Sequence, residues 1–444
     1  MQTENSRGRV LFASLIGTTI EFFDFYSYAT AAVLVFPKLF FPASDAASAT
    51  LQSFATFALA FFARPIGSAI FGHFGDRVGR KATLVAALLT MGISTVAIGL
   101  LPSYASIGLW APALLALCRL GQGLGLGGEW GGAVLLATEN APASKRAWYG
   151  MFPQLGAPIG FICATSAFLL LGSTMRDADF LAWGWRIPFV ASALLVFLGL
   201  YIRLSLTETP AFARAMELNQ RVEVPFAVVF SRHLPALILG IFAAVATFVL
   251  FYLMTVFALS WSVNTLHLNR QDVLLWQIIG VVLFAVTIPI SARFADRIGS
   301  VPVLIWVSVA IVLFGFSFAP LFGSGSEAGV LSFMLIGFAL TGLTYGPLGT
   351  ALAAIFPTAV RYTGSSLTFN FAGIVGASLA PYIATSLANQ YGLKAVGFYL
   401  SVASFVSLCA LLWIKASVKD HEASAEILSS THETMRSHRA PSKS

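Results

Sequence analysis

Charge is scarce in this chain. Of 444 residues only 19 are acidic and 26 basic, so charged side chains make up 10% of the sequence against 57% apolar. A soluble domain carries roughly a quarter charged residues, and the shortfall excludes a water-facing globular surface. Cysteine is nearly absent as well. Cys118, Cys163 and Cys409 stand far apart in apolar stretches, without the spacing of a metal site, and read as small buried residues. No G-x-x-x-x-G-K-[ST] phosphate loop occurs, which argues against ATP-driven pumping by this polypeptide. No nucleophile, base and orienting group converge in a recognisable motif, so no enzyme, cofactor or metal is expected. The short alternating runs of a membrane barrel are missing too. The net charge of +7 comes without the clustered basic face that nucleic acid requires.

What the chain does contain is long apolar runs. A spanning helix takes about 20 mostly apolar residues, and breaks at Pro, Gly and charge divide the sequence into twelve such segments. They are 10–36, 50–73, 82–101, 108–137, 148–172, 186–204, 233–260, 271–292, 301–320, 329–355, 364–388 and 394–415. This predicts an all-α integral membrane protein: a six-helix bundle over 1–204, a mixed-charge linker over 205–232, a second six-helix bundle over 233–415, and a Ser- and His-rich tail over 416–444 expected to be disordered. Glu21 and Asp24 interrupt the first span, which is therefore no cleaved signal peptide. Nineteen of the 26 basic residues fall in the termini and the loops on one side, against Lys38, Arg176, Arg270 and Lys394 on the other. That asymmetry predicts that both termini are cytoplasmic. A monomer is the default, since nothing in the sequence fixes an oligomeric state.

The two halves repeat. Gly72 to Lys81 reads GHFGDRVGRK between two apolar stretches, and Ala295-Asp296-Arg297-Ile298-Gly299 echoes its centre 220 positions after Asp76. Pro142 with Arg146 and Pro357 with Arg361 form a second pair 215 positions apart. Such an internal repeat implies a transporter with its substrate site between the halves. Gly123 to Gly128 contains the letters G-x-G-x-x-G, but inside an apolar helix and without the βαβ unit a dinucleotide needs. Gly121, Gly125, Gly128 and Gly132 instead recur at helical spacing, a smooth stripe for close helix contact.

With twelve spans, the segment Gly72, Asp76, Arg77, Gly79, Arg80 and Lys81 resembles the loop signature G-x-x-x-D-R-x-G-R-[RK] of the major facilitator superfamily. Further motifs narrow the resemblance to its metabolite:proton symporter family: Ile20 to Tyr26 (IEFFDFY), Arg64-Pro65-Ile66-Gly67, Arg119 with Gln122-Gly123 and Gly127-Gly128-Glu129-Trp130, Trp183 to Phe189, and Phe356-Pro357-Thr358 with Arg361-Tyr362. The likeness covers roughly residues 8–415. It implies two six-helix halves that alternate access to one cavity, in a bacterial inner membrane. It also implies a conformational latch that includes Asp76 and Arg77, in which Asp76 meets the start of helix eleven, near Thr363 and Gly364. The second copy, Asp296 and Arg297, departs from the pattern: Ser300 and Val301 replace a basic pair and Ala354 stands where relatives have Glu. It is therefore expected to be the weaker latch.

Charged residues inside spanning helices are costly and mark function. Counted from the outer ends of their spans, Asp24 and Arg119 lie 12 and 11 residues deep, and Glu21 and Arg64 lie 15 and 14. Glu21 and Asp24 share a helix face, which predicts two cross-helix ion pairs, Asp24 with Arg119 and Glu21 with Arg64. Asp24, with Glu21 as the other candidate, is expected to carry the coupled proton; Arg119 is expected to meet the substrate carboxylate, with Arg64 and Glu129 completing the network. Tyr26, Gln154, Tyr252 and Asn370 are further candidate substrate contacts. Trp183 and Trp185 read as an interfacial aromatic belt. The expected partners are thus a small carboxylated metabolite, a proton and the lipid bilayer. Proline or betaine is the alternative cargo, although the tail lacks the heptads of osmosensing relatives. A drug antiporter is less favoured, because Ala157 separates Gly156 from Pro158 in helix five.

Overall fold

The computed structural model describes the backbone of residues 7–42, 45–78, 80–139, 141–205, 225–357 and 360–438, and the side chains there except 72–84, 418–438 and single positions near segment ends. A chain that crosses lipid must satisfy its own backbone hydrogen bonds, and the described chain is accordingly almost all helix. The first six-helix group comprises α1 (Arg7–Leu34), α2 (Ala46–Val78), α3 (Arg80–Leu100), α4 (Trp110–Leu126 and Trp130–Glu139), α5 (Arg146–Thr174) and α6 (Ile187–Ser205). In the second group are α7 (Leu234–Tyr252, continued through Leu253–Phe257 and Ala258–Asn264), α8 (Arg270–Ile298), α9 (Ser300–Gly315), α10 (Glu327–Ala354), α11 (Arg361–Gly373, continued through Ile374–Ser378 and Ala380–Tyr391) and α12 (Leu393–His438). Among the described residues, eight helices meet length and apolarity limits for a span on their own, or nine if the bent pair at Ser300–Ser324 counts as one. The other three are α1, which carries Glu21 and Asp24, α3, whose described apolar part is Val85–Leu100, and α4, which is broken.

Helices in lipid associate through close packing of small residues rather than through hydrophobic exclusion. Gly121 and Gly125 of the predicted stripe serve this purpose, since a Cβ on them would stand 2.3 Å from Ser94 Oγ and 2.7 Å from Ala87 O of α3. Gly127, off the stripe in the turn after Leu126, does the same against α2, where a Cβ would stand 2.0 Å from Arg64 O. Only a residue without a side chain lets α2 and α3 approach α4 this closely. Gly299 turns the chain from α8 into α9 at φ 95°, a backbone angle that strains other residues. In α7 the wide turn at Leu253–Phe257 frees two carbonyls, and Gln277 Nε2 of α8 donates to both, Met254 O at 3.0 Å and Thr255 O at 2.7 Å.

Several expectations need correction. The fourth span is two helices, because Gly127, Gly128 and Glu129 form a turn between them. Trp185 is no belt residue: it is fully buried with its ring edge-on to Phe36, Phe40 and Phe189, whereas Trp183 is 54% exposed. Cys163 and Cys409 are exposed and Cys118 is half-buried, since an apolar spanning helix faces lipid as well as core. The backbone of the expected disordered tail is helical as far as His438; residues 416–438 contain neither Gly nor Pro, so nothing stops α12 from running on. In the linker, 206–224 lie outside the described residues, and Pro225–Arg232 is a short helix that seats Val229 against Leu237, Phe356, Val360 and Leu367.

Candidate transport site

Four helices of the first group converge on one buried acid. Asp24 on α1 is 1% exposed and accepts hydrogen bonds from Ser192 Oγ of α6 at 2.5 Å and from Thr95 Oγ1 of α3 at 3.1 Å. Thr95 lies equally close to Met91 O, at 3.1 Å, and accepts from Gln122 Nε2 of α4 at 2.8 Å. Gln122 Oε1 accepts from Arg119 Nη1 at 2.9 Å, and Arg119 Nε donates to Phe57 O of α2 at 3.2 Å. A polar chain therefore runs Asp24, Thr95, Gln122, Arg119 within one half.

The two predicted ion pairs do not form: among the described residues, none joins Asp24 to Arg119 or Glu21 to Arg64. Equal residue counts from the ends of two spans do not fix the direction a side chain faces. Arg119 turns onto aromatic rings, 4.1 Å from the centroid of Tyr28, 4.5 Å from Phe25 and 4.8 Å from Phe57. Arg64 lies 4.8 Å from both Phe25 and Phe61. Ring faces attract desolvated cations, and here they take the place of the carboxylates. Glu21 is buried, and its charge bears on the hydroxyls of Tyr26, Tyr252 and Tyr345. Glu129, also buried, sits in the turn that breaks α4.

Between the halves lies a small space of about 20 Å³, enough for a single water and far too small for a metabolite. Its wall includes Tyr26, Arg64, Tyr252, Phe284, Tyr345 and Phe369. Of the predicted substrate contacts, Tyr26, Tyr252 and Arg64 reach this wall, while Arg119 does not. Gln154 and Asn370 tie the halves together instead. Gln154 accepts from Trp130 Nε1 and donates to Tyr345 O, both at 2.9 Å. Asn370 Nδ2 donates to Ser68 Oγ at 3.0 Å and Gly127 O at 3.3 Å. Trp130 of α4 stacks on Phe369 of α11 at 3.6 Å.

Further ties close both ends of the space. Asp296 of α8 accepts from Ala147 N at 2.9 Å and Trp148 N at 3.2 Å in the first turn of α5, so the copy expected to be the weaker latch is engaged. The side chains of the first copy, Gly72, Asp76, Arg77, Gly79, Arg80 and Lys81, lie outside the described residues. At the opposite end Arg270 Nη2 meets Asp177 Oδ1 at 3.0 Å, with its guanidinium 4.8 Å from the Phe180 ring centroid, and Gln271 Nε2 donates to Gly172 O at 3.0 Å. The sequence reading missed Thr95 and Ser192, which look like ordinary small polar residues of apolar helices. It also missed Tyr345 and the Trp130–Phe369 stack.

Comparison with known proteins agrees with this architecture. Residues 10–223 match the family described as sugar (and other) transporters. The chain is 57% identical to the inner membrane metabolite transport protein YhjE of Escherichia coli K12, over 92% of this chain and 94% of that one. It is 34% identical to the shikimate transporter of the same organism, over 92% and 94%, and 32% identical to a proline/betaine transporter of Salmonella typhimurium, over 90% and 82%. A crystal structure of a D-xylose-proton symporter shares the fold, with a TM-score of 0.70 at 18% identity, over 92% of this chain and 97% of that one. With these relatives and this twelve-helix fold, the chain belongs to the major facilitator superfamily, as a multi-pass membrane transporter of the metabolite-carrying group.

Proposed function

We propose that the protein takes up a small carboxylated metabolite together with a proton, by alternating access between its two halves, in a bacterial inner membrane with both termini in the cytoplasm. The observation that carries this reading is the set of partners around Asp24. Hydroxyls both donate and accept, so Thr95 and Ser192 can satisfy this carboxyl in either protonation state. As carboxylate, Asp24 accepts from both. As acid, it can donate to Thr95 Oγ1, which then turns its own hydrogen to Met91 O. Gln122 and Arg119 sense the change of charge through the polar chain. Arg64, on the wall of the central space, takes the substrate carboxylate.

Reconstituted vesicles with matched insertion test this. Asp24→Asn should keep substrate exchange and lose accumulation driven by a proton gradient, whereas Arg64→Gln should lose binding. Accumulation that persists in Asp24→Asn removes Asp24 from the mechanism and leaves Glu21 as the acid. For orientation, a cysteine at Ser324 should react with an impermeant reagent from outside and one at Ser144 should not. A second reading, symport of an osmolyte such as betaine, is favoured by the aromatic wall, since aromatic faces bind quaternary ammonium groups.

A further inference from the structure

The central space has one charged side chain on its wall. Arg64 is 5% exposed, and its Nε is a buried donor without a partner. Among the described residues, none accepts a hydrogen bond from its guanidinium, which is held by the rings of Phe25 and Phe61 alone. A buried guanidinium on a cavity wall, with a donor left unpaired, calls for an anion. The other buried guanidinium nearby, Arg119, does not supply a second binding point. Its Nη1 and Nε are taken by Gln122 Oε1 and Phe57 O, and although its Nη2 is buried without a partner, the side chain lies off the wall, against the Phe25 ring.

The remaining wall is aromatic. Tyr26, Tyr252 and Tyr345 bring hydroxyls, and Phe251 and Phe284 bring rings packed on each other at a centroid distance of 5.8 Å and a tilt of 54°. A second carboxylate on the substrate would be desolvated against these rings with no second cation on the wall to meet it, a costly mismatch. Ring faces reward a flat or branched apolar body, and three tyrosine hydroxyls can serve its polar edges.

Resting on the carboxylate-symport reading above, we infer that the site selects substrates with a single carboxylate on a ring or branched body, and rejects di- and tricarboxylates. Carboxylate number is separated from shape by one matched series: cyclohexanecarboxylate, cyclohexane-1,4-dicarboxylate and cyclohexane-1,3,5-tricarboxylate. Binding is read as thermal stabilisation of the purified full-length protein. Counterflow into proteoliposomes is then run with quinate, succinate, citrate, proline and betaine.

The monocarboxylate should bind about a hundredfold more tightly than the dicarboxylate, the discrimination expected for one unpaired buried charge. Arg64→Lys should keep part of that binding and Arg64→Gln should abolish it, with size-exclusion profiles like that of the unmodified protein. Counterflow of quinate, proline or betaine without succinate or citrate supports the rule. Equal or tighter binding of the di- or tricarboxylate overturns it while leaving carboxylate symport intact. Failure of every carboxylate in both assays overturns this inference and the symport reading together.

Discussion

Asp296 holds the first turn of α5 from across the molecule, its Oδ1 accepting from Ala147 N at 2.9 Å. A helix N-terminus offers unsatisfied N–H groups and partial positive charge, so a carboxylate there joins the halves without any basic side chain. This is why the loss of a basic pair at Ser300 and Val301 leaves the contact standing. With Arg270 and Asp177 engaged at the opposite end, both ends are tied around a space of about 20 Å³. Alternating access requires that each end release while the other holds.

Weakening the Asp296 tie should therefore favour opening at its own end. Asp296→Asn keeps the shape and removes the charge, a loss of about 0.3–1 kcal/mol for a charge at a helix terminus. In a background without native cysteines, Thr350→Cys, which lies beside Gly150 of α5, should then be labelled by a water-soluble maleimide about two- to fivefold faster. An unchanged rate would show that Asp296 does not hold that end shut.

The opposite end should respond to Arg270 more than to Asp177. Their side chains are 17% and 82% exposed, and an exposed pair contributes only about 0.2–1 kcal/mol. Arg270 also lies over the Phe180 ring and packs against Gly172, where a Cβ would meet its Nη2 at 3.0 Å. Arg270→Ala should therefore widen the distance distribution between spin labels at Thr174 and Ser324 more than Asp177→Asn does. Equal effects would place the holding energy in the ion pair alone.

Two neighbouring tryptophans should separate cleanly in stability. Trp185→Ala empties a fully buried site among Phe36, Phe40 and Phe189, which costs about 3–5 kcal/mol. Trp183 is 54% exposed, and Trp183→Ala should leave the melting midpoint in detergent nearly unchanged. Similar midpoints for the two variants would contradict the buried placement of Trp185.

Most of the fold was legible because lipid imposes few solutions. Apolar length, glycine spacing and the repeated charged turn placed the helices, and intramembrane charge pointed to α1, α2 and α4. Partner choice was not legible. Asp24 and Arg119 are matched by residue count, yet what each touches depends on side-chain direction and on residues with no sequence signal of their own, such as Thr95 and Ser192. Gln154 and Asn370 looked like substrate ligands because a buried amide in a spanning helix must bond to something; here that partner is the other half. Conversely, Arg64 attracted a predicted carboxylate partner from within the chain, and the aromatic rings leave its Nε without a partner.

The polar chain from Asp24 to Arg119 makes Gln122 the residue through which protonation reaches the arginine. Gln122→Leu keeps the volume and helix propensity, leaves Asp24 its bonds from Thr95 and Ser192, and leaves Arg119 its bond to Phe57 O and its ring contacts. Arg119 Nη1 loses its acceptor, at a cost of about 1–3 kcal/mol for a buried group left unsatisfied. Transport should then split. Exchange of substrate across proteoliposomes needs only the cavity and should persist, whereas accumulation driven by a proton gradient needs the acid and the arginine to act together and should fall. Asp24→Asn should show the same split, and the double variant should be no worse than either single one, because both interrupt one chain. If Gln122→Leu lowers exchange and accumulation in parallel, together with the melting midpoint, then Gln122 only supports packing around Arg119 and the proton signal travels by another route.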